Sequence, residues 1–159
     1  MKKEENLFST NPEKAAARVA INGVMLASIF VMLAVVFLDL ERFNKVAVMQ
    51  MVLSIPCLFI SSLAYSKLGY WKETRLWDIF GYLTNTFGNL FMINAIGLLA
   101  AAISIAFSWV YFGITLLLLL FYSLVNIFYT KAFGKKIFKF LFSLAIIVIG
   151  GIFPLIFLL

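Results

Sequence analysis

Residues 79–130 read IFGYLTNTFGNLFMINAIGLLAAAISIAFSWVYFGITLLLLLFYSLVNIFYT, without a single Asp, Glu, Lys or Arg. As one straight α-helix at about 1.5 Å per residue, the stretch would be ~78 Å long, more than twice the ~30 Å hydrocarbon core of a bilayer. It must therefore fold back on itself. Ser108-Trp109-Val110-Tyr111, closely followed by Gly113, predicts the turn, because Trp and Tyr favour the membrane–water interface. That gives one long span at about 79–107 and another at about 112–129.

Three more apolar runs flank this stretch, at about 19–38, 46–65 and 140–159. Thr10-Asn11-Pro12-Glu13 predicts a helix start ahead of the first, with a capping side chain, Pro in the first turn and an acid where the helix dipole favours one. That run is longer than the 7–15 residues of a signal-peptide core and lacks a small-residue cleavage site, so it reads as a retained span. Pro56 predicts a kink in the second span, and Gly150-Gly151 with Pro154 a bend in the fifth. Between the second and third, residues 67–78 alternate Tyr70, Trp71 and Trp77 with Lys72, Glu73 and Arg75, as an interfacial segment does. The expected fold is all-α: a bundle of five transmembrane helices forming a single transmembrane domain over residues 1–159.

The charges orient it. Lys2, Lys3, Lys14 and Arg18 precede the first span; Lys67, Lys72 and Arg75 fill the second gap; Lys131, Lys135, Lys136 and Lys139 fill the fourth. Only Arg42 and Lys45 fall on the opposite side, where Glu41 and Lys45 stand four apart and read as a surface pair. Eleven against two predicts a cytoplasmic N-terminus, an external C-terminus and residence in the cell membrane. The net charge of +6 is then an orientation signal with attraction to anionic lipid on the cytoplasmic leaflet, through Lys72, Arg75, Lys131, Lys135 and Lys136, not a nucleic-acid surface.

Composition narrows the chemistry. There is no His, and the single Cys57 sits in an apolar run beside Pro56, so the commonest general base, an intrachain disulfide and a zinc site are all missing. GxSxG, HExxH, P-loop and GxGxxG motifs are absent. None of the seven carboxylates lies deep in a span, and Asp78 is expected to be a solvated interfacial charge. These features predict no enzyme, no cofactor and no metal.

Uncharged polar residues remain. Asn22, Ser61, Ser62, Asn85, Asn126 and Ser143 fall within roughly 10 Å of the cytoplasmic side, with Asn89 deeper. Gly81, Thr84, Asn85, Gly88, Asn89 and Met92 share one ~140° arc of the third span, and Asn94, Gly97 and Ala101 occupy another sector. Ala16, Ala20, Gly23, Ala27 and Ala34 make a small-residue stripe on the first span, expected to pack against a helix. Two readings follow. In the first, these groups are packing contacts, and the protein is a non-enzymatic accessory or regulatory subunit or an oligomeric scaffold, with itself or another membrane protein as partner. In the second, Asn22, Thr84, Asn85, Asn89 and Asn126 line a cytoplasm-facing cavity around the third span, in a small transporter, channel or lipid-binding protein.

In length and span number the chain is similar to the tryptophan-rich sensory (translocator) proteins. Their ligand pocket is rich in Trp and Pro, whereas here the three Trp and three Pro form no matching cluster, so nothing of that family is carried over.

Overall fold

The computed structural model describes residues 12–68, 75–129 and 133–157. Among them all regular structure is helical: α1 (Pro12–Leu38), a short 3-10 turn (Leu40–Arg42), α2 (Lys45–Lys67), α3 (Arg75–Ala100), α4 (Ile105–Tyr129) and α5 (Phe133–Ile147). α5 continues through a π-helical segment, Val148–Ile152, into a last α-turn, α6 (Phe153–Ile156). Five of these stretches are long and apolar enough to cross a membrane: Glu13–Leu38, Lys45–Lys67, Arg75–Ala100, Ile105–Phe128 and Lys136–Ile156. Their outer surfaces are apolar as well, with Val31, Leu117, Leu118, Phe121 and Phe128 exposed. A water-soluble bundle would hide such residues; hydrocarbon does not penalise them.

Local chemistry sets the helix starts. Asn44 caps α2, its Oδ1 accepting from the Val46 N–H at 2.7 Å. Ser104 does the same for α4, where the Ala106 N–H donates to its Oγ at 3.2 Å. This second cap relocates the turn expected at Ser108–Tyr111. The chain reverses at Ala101–Ser104 through short-range backbone bonds such as Ala102 N–H to the Leu99 carbonyl, 3.0 Å. Ser108, Trp109 and Tyr111 are helical residues of α4, and Ser108 is fully buried. The aromatics mark the first turns of the helix beyond the reversal, and the serine cap marks the reversal itself. α3 is accordingly shorter than the expected span, and α5 starts earlier, at Phe133.

The helices fall into two compact units. The first comprises Met1–Leu38 and Met51–Asn89, the second Asp39–Gln50 and Leu90–Leu159, so α2 and α3 each contribute to both.

In the first unit the buried positions of α1 include Ala15, Asn22, Ile29 and Val36, a seven-residue repeat characteristic of left-handed helix packing. The stripe Ala16, Ala20, Gly23, Ala27 and Ala34 is exposed instead, and nothing lies within 4 Å of a Cβ built at Gly23. Asn22 turns inward to find polar partners, and that rotation points the small residues away. Glycines of α3 do set a close approach to α2: a Cβ on Gly81 would stand 3.1 Å from Tyr65 Cε1, and one on Gly88 2.8 Å from Leu58 Cδ2. In the second unit, Ala47, Leu90, Leu98, Phe112, Ile147 and Leu155 form the buried core.

Candidate functional site

The first unit gathers several of the polar residues singled out in the sequence. Asn22 on α1 directs its Nδ2 at the Leu58 carbonyl (3.4 Å), Ser61 Oγ (3.4 Å) and Ser62 Oγ (3.3 Å), all on α2. Ser61 Oγ donates onward to the Gly81 carbonyl of α3 at 3.0 Å and faces Asn85 Oδ1 at 3.4 Å. Asn22 and Ser61 are almost wholly buried. The chain of contacts runs α1–α2–α3, the Asn22 amide nitrogen and the Ser61 hydroxyl each finding a partner on the next helix. Thr84 stays on its own helix, its Oγ1 2.8 Å from the Phe80 carbonyl. Asn22 Oδ1 and Asn89 Oδ1 are buried without a hydrogen-bond partner.

Beside this core, Arg18 donates to the Tyr65 hydroxyl at 2.6 Å. Gly81 leaves room for that ring, and Ala15, Val19 and Leu68 pack around it. Asp78, expected to be solvated at the interface, is 6 % exposed and lies close enough to Tyr65 to act on it electrostatically. It opens α3, where the helix N-terminus favours a carboxylate. Composition could not show that a cation and a phenol would be brought to the same place.

Asn126 belongs to the second unit. It bonds the Tyr122 carbonyl of its own helix at 2.9 Å and accepts from Lys136 Nζ at 3.4 Å. Lys136 is thus partly occupied, and Arg75 is exposed. Lys72 and Lys131 lie outside the described residues, as does the centre of the interfacial segment; Lys135 is described only as a backbone position of α5.

A second polar centre takes in Asn94 and Gly97 of the other sector of α3 and adds Gln50, which was not among the candidate residues. Pro154 has no N–H to return to the Gly150 carbonyl, the bond an α-helix would make there. Gln50 of α2, the only Gln in the chain, supplies the donor: its Nε2 meets the Gly150 oxygen at 2.6 Å. Asn94 Nδ2 similarly donates to the Ile146 carbonyl at 3.1 Å. Both amides are buried, and Gln50 Oε1 and Asn94 Oδ1 have no partner. Gly150 and Gly151 make the approach possible, since a Cβ on Gly150 would run into Asn94 Nδ2 and one on Gly151 would stand 2.5 Å from Phe112 Cε1. Ser108 closes the group, donating to the Gly97 carbonyl at 2.6 Å. The signal available in the sequence was a lone amide in one apolar run and a Gly-Gly-x-x-Pro in another. A membrane-buried Pro leaves a carbonyl that some side chain must satisfy.

Where the reversal between α1 and α2 meets that between α3 and α4, a cleft of about 290 Å³ opens, lined by Glu41, Arg42, Asn44, Ala101 and Ala102 among others. A recess of about 370 Å³, bounded by Leu40, Val48 and Met49 with the stems of Glu41 and Lys45, adjoins it and has a lining of carbon alone. Glu41 and Lys45 form no ion pair with each other. Glu41 lies in the 3-10 turn and Lys45 opens α2, so the two residues do not share one helix.

Chemically, both polar centres consist of amides, hydroxyls and backbone carbonyls, suited to hydrogen bonding. Among the described residues no group of three or more His, Cys, Asp and Glu gathers where a metal ion could be held. No family model, curated protein or solved structure matches this chain.

Proposed function

We propose that this chain is a multi-pass protein of the cell membrane, N-terminus cytoplasmic, that acts without catalysis through helix–helix contacts, as an accessory or regulatory subunit or an oligomeric scaffold. The observation that carries the reading is the use made of the polar side chains. Asn22, Ser61 and Asn85 join α1, α2 and α3, and Gln50 and Asn94 bond backbone carbonyls of α5 and its π-helical continuation. Groups engaged in this way fix one arrangement of helices. The eleven-to-two distribution of Lys and Arg supports the orientation, and of the five candidate lipid contacts Arg75 and Lys136 are the two whose side chains are described and would meet anionic headgroups on the cytoplasmic side.

A second reading draws on one observation. Asn22 Oδ1 and Asn89 Oδ1 are buried acceptors without donors, and water entering from the cytoplasmic side would satisfy them in a carrier or lipid-binding protein. Single cysteines at positions 85, 89, 94 and 126 in a Cys57→Ser background, probed from each side with a membrane-impermeant thiol reagent, separate the two. Silence at 85, 89 and 94, with labelling at 126 from the cytoplasmic side only, is the expected result. Labelling of 85 and 89 from the cytoplasm would replace the scaffold by a water-filled site, and labelling of 126 from outside would reverse the orientation.

A further inference from the structure

We infer that the paired recesses at the Asp39–Lys45 reversal hold a phospholipid with a primary ammonium headgroup, taken from the leaflet that borders this turn. The inference rests on the membrane reading above. The two cavities have complementary characters and share a wall. The cleft of about 290 Å³ carries Glu41, Arg42 and Asn44 over a floor of Ala101 and Ala102. The adjoining recess of about 370 Å³ is purely apolar and runs along Val48 and Met49 of α2. Together they fall within the size range of an ordinary small-molecule site, about 300–1,000 Å³. A headgroup lies in the first and the upper part of an acyl chain in the second.

Charge selects the headgroup. Glu41, Arg42 and Lys45 are exposed, and no ion pair joins Glu41 to either cation. One carboxylate and one guanidinium in the cleft, with Lys45 bordering the adjoining recess, complement an ammonium linked through two carbons to a phosphate. The phosphate meets Arg42, with Lys45 at the edge of the neighbouring recess adding to the positive field, and the ammonium donates to Glu41. A glycerol headgroup brings the same phosphate but leaves Glu41 facing net negative charge without a cation. A choline headgroup has no N–H to donate. The small side chains of Ala101 and Ala102 leave the depth that the headgroup needs, and larger ones would remove it.

The test uses the full chain in mixed micelles with equimolar phosphatidylethanolamine, phosphatidylglycerol and phosphatidylcholine, bound lipids being counted by native mass spectrometry. The wild-type chain is expected to retain phosphatidylethanolamine about two- to fivefold over each competitor, the range given by one exposed charge pair. Glu41→Gln should abolish that preference. Arg42→Gln with Lys45→Gln should lower retention of all three lipids, and Ala102→Phe should lower it without changing their order. Equal retention of the three lipids by the wild type, a preference for phosphatidylglycerol, or a Glu41→Gln variant indistinguishable from wild type would overturn the assignment. Resistance of the wild-type chain to alkaline carbonate extraction is measured alongside. A chain that is extracted refutes the membrane reading, whereas a membrane-retained chain without lipid preference refutes only the site.

Discussion

Replacing Gln50 tests whether this side chain compensates for Pro154. Gln50 is 4 % exposed, and its Nε2 lies 2.6 Å from the Gly150 oxygen that Pro154 cannot serve. Gln50→Leu keeps most of the volume and removes the side-chain donor from this part-buried carbonyl. Interhelical side-chain bonds in membranes average about 0.6 kcal/mol and reach about 1.7, and a stranded buried polar group costs about 1–3 kcal/mol. Losing the unpaired Gln50 Oε1 offsets part of that cost, so a net destabilisation of about 1–2 kcal/mol is expected. Pro154→Ala restores a backbone N–H that reaches the Gly150 carbonyl once the π-helical segment takes α-helical register, and in that background Gln50→Leu should cost under about 0.5 kcal/mol. The coupling between the two sites is then about 1 kcal/mol, well above the ~0.3–0.5 kcal/mol scatter of independent mutations. Reversible unfolding in mixed dodecylmaltoside–SDS micelles, followed by Trp fluorescence and circular dichroism, gives the four stabilities of the cycle. Additive costs would refute the account: the bond would be incidental to the proline.

The glycines divide into two classes that the same unfolding assay separates. Gly151→Ala places a methyl group 2.5 Å from Phe112 Cε1 and 2.9 Å from Asn94 Oδ1, and should cost about 1–3 kcal/mol, with part recovered by Phe112→Leu. Gly88→Ala meets Leu58 at 2.8 Å and should cost a similar amount, relieved by Leu58→Ala. Gly23→Ala and Gly113→Ala meet nothing within 4 Å and should raise stability by up to about 1 kcal/mol through helix propensity; a loss at either would mean that the face is packed. Asn22→Ala should cost about 0.5–1.5 kcal/mol, since its three contacts are long and its Oδ1 is already unpaired, while Ala16→Leu on the exposed stripe should stay within about 0.5 kcal/mol.

How far the fold was legible follows from what each signal depends on. Five membrane-length helices follow from the absence of charge and the length limit of a bilayer, and neither needs tertiary information. The α3–α4 reversal was misplaced because Trp109 and Tyr111 mark an interface to within a turn or two, whereas Ser104 marks the helix start itself. The arc holding Gly81, Asn85 and Gly88 was visible because it is a property of one helix. Which helix it would meet was not, and α2 meets it through Tyr65, Ser61 and Leu58. The α1 stripe failed for a related reason. Small residues permit close approach but do not demand it, whereas a buried amide demands a partner, and Asn22 therefore settles which face of α1 turns inward.

The same asymmetry explains why the second polar centre escaped the sequence reading. Pro154 and Gly150-Gly151 predict a bend, a local consequence, but a proline in an apolar medium also leaves one backbone carbonyl whose hydrogen bond must come from elsewhere in the chain. Gln50 lies a hundred residues away and meets it. Each amide that bonds a carbonyl through its nitrogen holds its own oxygen in a fixed direction, and at Gln50 and Asn94 that oxygen is left unpaired. Turning either amide over would set oxygen against oxygen, so the orientation is fixed by the backbone groups it serves. A donor, such as a single water bridging to one of these oxygens, would lower the energy of the centre without disturbing its geometry. The centre therefore couples α2, α3 and both α5 and its π-helical continuation through two amides, each of whose loss leaves a backbone carbonyl without its side-chain donor, which is the condition under which a few polar groups favour one arrangement of helices.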